Sequence, residues 1–326
     1  MTEKVRIGLI GAGEMGRLHL QVMAAHPGVS VAGICDVDEA PRRRAEKQGL
    51  PTYSDWRELI ETERPDAVIV ATPPHQHAEP GIHALQQGLH VLLEKPMAAT
   101  LEEAQRIHEA AQGTGRLMVA FSLRFHGLYQ RIWEHLQELG PVVFQWHVAL
   151  GRMPRNSWVG SKEKSGGMVN ENAVHILYAF LWYAGEVEEA SARCWILEEG
   201  RTIEDSAVVQ LVHKDGAVST LLQTWAAQHR LRGWGLQARR GTATVDGYLG
   251  GRYRVSKAGM QLLEEEEFTE PVEEMYRRQL AHFLGCITRG ERPVVNEEDG
   301  LRIQRLVEAI YRSSEEGRPV RVGELR

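Results

Sequence analysis

Val5-Arg6-Ile7-Gly8-Leu9-Ile10-Gly11-Ala12-Gly13-Glu14-Met15-Gly16 decides the fold, together with an acid, Asp36, twenty positions beyond Gly16. The apolar run from Val5 to Ile10 reads as a buried strand and the residues from Glu14 as a helix, so the glycines fall on the turn between them. Each glycine has a separate reason to be there. Gly11 permits a tight turn, Gly13 bares the backbone where a pyrophosphate would approach, and Gly16 lets helix and strand pack closely. The helix opening at Glu14 and Met15 offers unpaired N–H groups and a positive dipole end to the phosphates, and Asp36 can accept from both ribose hydroxyls. These requirements together are those of a bound dinucleotide, and the chain is expected to bind NAD.

Composition excludes other classes. With 326 residues, 43% of them hydrophobic, the chain can bury a large core, and its length suggests two domains. A net charge of -6 gives no field that would hold nucleic acid or an anionic membrane, so neither partner is expected. Cys35, Cys194 and Cys286 are few, odd in number and far apart. That pattern fits reduced thiols in a cytoplasm rather than a disulfide framework. No apolar run approaches the length of a membrane span, and Met1-Thr2-Glu3-Lys4-Val5 leads straight into a strand with no signal-peptide pattern.

Strand-like and helix-like runs alternate through the first 120 residues. Val29 to Asp36, Asp66 to Thr72, His90 to Glu94 and Leu117 to Phe121 are short and apolar, as parallel strands covered on both faces should be. Between them lie amphipathic stretches from Met15 to Ala25, Glu39 to Gln48, Gln76 to Gln87, and Leu101 to Gln112 behind a cap at Thr100. This predicts a doubly wound (Rossmann) parallel sheet over residues 1–121, the NAD-binding domain. From residue 122 the runs lengthen and alternate: Val142 to Leu150, Glu188 to Leu197, Ser206 to His213, Ala217 to Trp225 and Leu236 to Val245. They predict an α+β domain over 122–326 with a large, mostly antiparallel open sheet, and Asp215-Gly216 sits where a hairpin turn would. Two closing helices are expected at about Val272 to Arg289 and Glu297 to Glu315, and the acidic run Glu264 to Glu267 reads as a solvated loop or edge.

Four further segments carry a resemblance. Ala71-Thr72-Pro73-Pro74-His75-Gln76-His77 and Glu94-Lys95-Pro96 each close a strand. Ser165-Gly166-Gly167-Met168 leads to Glu171 and His175, and Glu298-Asp299-Gly300-Leu301 runs through Tyr311-Arg312-Ser313 to Gly317-Arg318-Pro319-Val320. With the glycine turn, the set resembles the Gfo/Idh/MocA oxidoreductases over nearly the whole chain. The resemblance implies a cis bond at Lys95-Pro96, a ribose or substrate-side contact at His77, and a homodimer or homotetramer built through the C-terminal sheet.

The same segments have a physical reading of their own. Ligands of an open parallel sheet sit beyond the carboxyl ends of its strands, which gathers Thr72, Pro73, Glu94 and Lys95 at one crevice with the cofactor. Pro73 and Pro74 lack N–H donors and stiffen a wall for a flat nicotinamide ring. Glu171 and His175, four apart on a helix expected from Val169 to Tyr183, share one face, where a carboxylate can orient an imidazole acting as general base. Resembling proteins usually carry Asp at the position of Glu171, so the division of roles with His175 stays open. Arg124, Arg152, Arg155, Asn156 and Trp158 offer donors and an aromatic face to a hydroxylated ring, while Trp195, Trp225 and Trp234 fall on strands and suit sheet packing or a subunit contact. His75, His77, His83 and His90 lack zinc-site spacing, so no metal is expected.

The expected reaction is hydride transfer between nicotinamide and a secondary alcohol or ketone of a sugar, polyol or inositol-like derivative. His175 would take the hydroxyl proton, Lys95 would steady the same oxygen, and Glu171 would orient His175 or bind a neighbouring hydroxyl. Asp36 would repel a 2'-phosphate and favours NAD, while Arg42, Arg43 and Arg44 keep NADP as the alternative. Two other functions fit the same motifs: an NAD-dependent glycosidase of this fold and a non-catalytic NAD-responsive regulator.

Overall fold

Why the N-terminal strands align in parallel follows from their burial: Ile7, Leu9, Val68, Ile69, Val91, Leu92 and Leu117 are wholly inaccessible, so both faces of the sheet must be covered by helices. In the computed structural model, which describes residues 4–152, 158–259 and 261–325, the chain divides into two packed units. The first holds the residues through Ser122 together with Glu273–Leu301, and the second holds Leu123–Val272 and the residues from Arg302 onward.

The first unit alternates β1 (Val5–Ile10), α1 (Glu14–Ala25), β2 (Val29–Cys35), α2 (Glu39–Glu46), β3 (Thr52–Tyr53), α3 (Trp56–Glu63), β4 (Ala67–Val70), α4 (Ala78–Gln86), β5 (His90–Leu93), α5 (Leu101–Ala111) and β6 (Leu117–Val119). All pairings are parallel, in the order β3-β2-β1-β4-β5-β6. The order reverses between β1 and β4, which is where an open sheet of this kind leaves a crevice. Helix starts follow local chemistry. Thr100 Oγ1 accepts from Glu103 N at 3.2 Å to cap α5, as expected, and Asp55 Oδ1 accepts from Arg57 N at 2.9 Å to cap α3.

The second unit begins with α6 (Gly127–Leu139), β7 (Val142–Arg152) and the short α7 (Lys162–Ser165); a π-helical turn (Val169–Ala173) then runs into α8 (Val174–Ala184). Strands β8 (Val187–Trp195), β9 (Ser206–His213), β10 (Val218–Thr224), β11 (Ala226–Ala238), β12 (Gly241–Asp246), β13 (Gly251–Lys257) and β14 (Gln261–Phe268) follow. With β7 and β15 (Val320–Arg321) they form a nine-stranded sheet, β14-β13-β12-β11-β7-β10-β9-β8-β15, antiparallel except where β10 lies parallel to β7. The expected run Leu236 to Val245 is two strands, because the chain reverses at Arg239-Arg240 and pairs Ala238 with Gly241. Glu264 to Glu267 lies on the edge strand β14, where Arg131 and His135 meet Glu264 at 3.0 and 2.6 Å. The Asp215-Gly216 hairpin is present, with Gly216 at φ +88° and His213 N bonded to Ala217 O at 2.8 Å.

One face of this sheet is closed by α6 and α8. Tyr129, Tyr183 and Trp234 stack there, Tyr129 and Trp234 with ring centroids 4.4 Å apart, which gives Trp234 the packing role expected of it. The other face carries exposed Phe144, Val208, Leu222 and Leu231. Helix α9 (Val272–Arg289) packs with the first unit, setting Tyr276 against His19 and Phe283 against His90. Helix α10 (Glu297–Glu316) starts in the first unit and continues in the second. No helix among the described residues is long and apolar enough to cross a membrane.

Candidate functional site

The glycine turn is built as its sequence demands. Gly11 sits at φ +91°, and a Cβ there would stand 2.6 Å from the Ala71 carbonyl and 2.7 Å from Thr72 N. Only glycine allows the ends of β1 and β4 to approach so closely. A Cβ on Gly16 would overlap the Gly11 carbonyl oxygen, so helix α1 rests directly on the turn. At Gly13 the situation is reversed: an added Cβ would meet nothing within 4 Å, so this backbone faces open space. Gly13 is also the N-cap of α1 and supplies no side-chain acceptor. The first-turn N–H groups at Glu14, Met15 and Gly16 are therefore available to an anion.

Asp36, at the end of β2, turns its carboxylate to this turn. Oδ2 accepts from Ala12 N at 2.7 Å and Oδ1 from Asp38 N at 2.9 Å. Arg42 donates to the carbonyls of Asp36 and Val37 at 2.6 and 2.8 Å, and Arg43 pairs with Glu39, so two of the three arginines already have partners. Thr72 Oγ1, beyond β4, is buried and makes no hydrogen bond. An open glycine backbone, an uncapped helix start, an acid at the tip of β2 and an unsatisfied hydroxyl beside them fit the parts of a dinucleotide.

The other wall holds Lys95. Pro73 precedes a short 3-10 turn (Pro74–Gln76), and the Lys95-Pro96 peptide is cis. His77, expected as a ribose or substrate-side contact, has no exposed surface. Its Nε2 faces Thr72 O at 2.8 Å and its Nδ1 faces Pro96 O at 3.0 Å. Burial lowers its proton affinity, although those carbonyls and the charge of Glu94 favour the proton. His77 thus reaches a ligand only through the two turns it ties together. Glu94 is also buried: Oε1 accepts from His19 Nε2 at 2.7 Å and Oε2 from Lys95 N at 3.2 Å. Burial alone would raise its pKa; the hydrogen bond and charge of His19, with the charge of Lys95, outweigh that and hold it below the usual range.

In the second unit, α7 ends at Gly166 (φ +78°) and Gly167 (φ +102°), and the chain enters the π turn bearing Glu171 before α8 begins at Val174 with His175 next. The helix expected from Val169 is thus π over its first turn and α beyond. Glu171 N still bonds Gly167 O at 2.9 Å, and the two side chains remain about one turn apart. Glu171 is buried and His175 half-buried. Arg124 lays its guanidinium over Trp182 of α8 at 4.1 Å, with Nη1 buried and unbonded. Trp158 is 39% exposed, while Arg152 pairs with Glu198 at 3.2 Å on the surface. Arg155 and Asn156 lie outside the described residues. His83 packs edge-on to Trp56, and no group of three or more metal-ligating side chains occurs among the described residues.

A Rossmann unit with a dinucleotide turn, joined to an open-sheet unit with a carboxylate and an imidazole on one helix, defines a nicotinamide-dependent oxidoreductase. The family described as "Oxidoreductase family, NAD-binding Rossmann fold" matches residues 5–121, and its "C-terminal alpha/beta domain" matches 137–322. The chain belongs to this Gfo/Idh/MocA family. It is 28% identical to Myo-inositol 2-dehydrogenase of Thermotoga maritima over 98% of this chain and 99% of that one. Its identity with D-xylose 1-dehydrogenase (NADP(+)) 2 of Haloferax volcanii is 26%, over 94% and 98% of the two chains. Among solved structures, the oxidoreductase domain protein from Kribbella flavida superposes with a TM-score of 0.89 at 25% identity, covering 98% of this chain and all of that one.

Proposed function

We propose that the protein is an NAD-dependent dehydrogenase acting on a secondary alcohol of a sugar, polyol or inositol-like compound. The observation that carries this reading is the pairing, in one chain, of an NAD-binding Rossmann unit whose β5 runs into Lys95 with a helix bearing Glu171 and His175 one turn apart. The names of its full-length relatives, an inositol and a xylose dehydrogenase, support the substrate class.

In this reading residues 1–121 bind the cofactor and 122–326 bind substrate. Gly11, Gly13, Glu14, Met15 and Gly16 take the pyrophosphate, Asp36 the ribose, and Thr72, Pro73, Glu94 and His77 form or brace the nicotinamide end. NAD supplies the hydride acceptor when bound. His175 removes the hydroxyl proton, Lys95 donates a hydrogen bond to the same oxygen and stabilises its developing negative charge, and Glu171 orients the imidazole. Arg124, Arg155, Asn156 and Trp158 receive the rest of the substrate. Asp36 favours NAD over NADP by charge. The exposed apolar residues of the open sheet face suit a homodimer or homotetramer contact, which sedimentation would read directly.

A panel of polyols, inositols, aldoses and sugar acids, followed by NADH absorbance with NAD, tests the assignment. Lys95→Ala and His175→Ala should each lower kcat by about a hundredfold or more with NAD affinity nearly unchanged. Wild-type turnover in both variants would end it.

A further inference from the structure

The turn that carries Glu171 is held at its start by side chains from distant parts of the second unit. Val169 N donates to Glu204 Oε1 at 3.2 Å, and Asn170 N donates to Tyr311 Oη at 3.4 Å. Tyr311 in turn donates its hydroxyl proton to the same Glu204 oxygen. Lys162 of α7 lies over the Tyr311 ring, Nζ 3.2 Å from its centroid, and 3.9 Å from Glu204 Oε2. A helix start leaves N–H groups without intrahelical partners, and a local Ser, Thr or Asp ordinarily takes them. Here Met168 is the N-cap and gives no such acceptor. The acceptors come instead from 35 and 141 positions away.

Gly167 shows that this arrangement is tight. A Cβ at Gly167 would overlap Tyr311 Oη and stand 2.6 Å from Glu204 Oε1 and 2.9 Å from Lys162 Nζ. Gly167 therefore admits a phenol, a carboxylate and an ammonium to the helix start, in addition to turning the chain. Asn170 Nδ2 adds a tie back to Ser165 O at 2.9 Å. A π turn is an uncommon conformation that persists where its surroundings over-determine it. Two distant acceptors on consecutive N–H groups do that, fixing both the rotation and the axial position of the turn.

We propose that Tyr311 and Glu204, braced by Lys162, are positioning residues that set the orientation of Glu171 and His175 for proton transfer. This rests on the reading of His175 as the base, and it gives the Tyr311 segment of the closing motif a role. A group displaced by about an ångström can lose catalysis by up to about a hundredfold, so the expected effect lies in kcat.

Tyr311→Phe keeps the ring under Lys162 and removes the one oxygen. It should lower kcat about tenfold or more while the KM for NAD stays within about twofold, and it should add almost nothing in a His175→Ala background, because residues acting through one group are not additive. A second readout needs neither cofactor nor turnover: the ring-nitrogen and ring-carbon NMR shifts of His175, in the full-length apo protein, should move in Tyr311→Phe. Should that variant fail to fold, Glu204→Gln, which keeps an oxygen for Val169 N but loses the charge that draws the phenol, carries the same test. Unchanged His175 shifts, or an equal loss of kcat with and without His175, would overturn the proposal. A His175→Ala enzyme with wild-type turnover would instead overturn the functional reading, leaving the NMR result to judge the positioning.

Discussion

Replacing His19 by Leu should destabilise the first unit far more than the loss of one hydrogen bond. The imidazole and the Glu94 carboxylate meet at 2.7 Å with side chains only 4% and 6% exposed. A neutral hydrogen bond contributes about 0.5–1.5 kcal/mol. Removing one partner of a buried charged pair costs about 3–5 kcal/mol, because the remaining charge is stranded out of water. Lys95 N still reaches Glu94 Oε2 at 3.2 Å, which places the expected loss near the lower figure. A double replacement, His19→Leu with Glu94→Met, strands nothing and should recover most of the stability. For a unit of this size each kcal/mol shifts Tm by about 2–4 °C, so the single variant should melt roughly 6–12 °C lower. Calorimetry of the apo protein reads this. A shift under about 2 °C, or a double variant as unstable as the single, would refute the argument. The pH dependence has a definite sign. Glu94 is held below its ordinary pKa, so its contribution is present above the unfolded value near about 4.3 and is lost as pH falls through the lower folded value. The gap between wild type and His19→Leu should therefore persist at neutral pH and close in acid.

Other outcomes follow from the glycine turn and its acid. Gly13→Ala meets open space, so the fold should lose only about the 1 kcal/mol by which alanine is a poorer N-cap than glycine, roughly 2–4 °C in Tm, while NAD affinity by calorimetric titration falls because the methyl occupies the phosphate approach. Gly11→Ala should damage both, since a side chain at φ +91° is strained by about 1–3 kcal/mol before its contact with the Ala71 carbonyl is counted. Asp36→Asn keeps an oxygen for Ala12 N and removes the charge. The NADP-to-NAD affinity ratio should rise by about tenfold, and an unchanged ratio would assign cofactor choice to another residue.

How much of this was legible in the sequence depended on range. The glycine turn, the Thr100 cap, the Asp215-Gly216 hairpin and the helix from Val272 to Arg289 are set by residues close in sequence, and periodicity or side-chain chemistry exposes them. The reversal at Arg239-Arg240 has no Gly, Pro, Asn or Asp at its two central positions, so the end of β11 and β12 read as one run from Leu236 to Val245. Strand β3 is two residues long and has no pattern to show. The π turn was invisible because its five residues are too few for an apolar period to tell a π from an α turn. His77 carried a motif but not its burial, which depends on Thr72 and Pro96 closing over it from two strands' ends.

What the sequence withheld about the candidate site is of one kind. Lys95, Glu171 and His175 stand in recognisable motifs, whereas the groups that hold their segments come from afar: His19 to Glu94 across 75 positions, Glu204 to Val169 across 35 and Tyr311 to Asn170 across 141. A reacting group held to within half an ångström needs its neighbours locked by packing and hydrogen bonds, and a loop cannot lock itself with its own few residues. Such bracing must be recruited from other elements. In each unit the segment bearing a proposed catalytic side chain is tied by a carboxylate that itself answers to a distant ring, His19 for Glu94 and Tyr311 for Glu204. Substitutions at those rings should therefore impair turnover without touching substrate, and a scan for activity-lowering variants should find them clustered at His19, Glu204 and Tyr311 rather than spread evenly over α1 and α10.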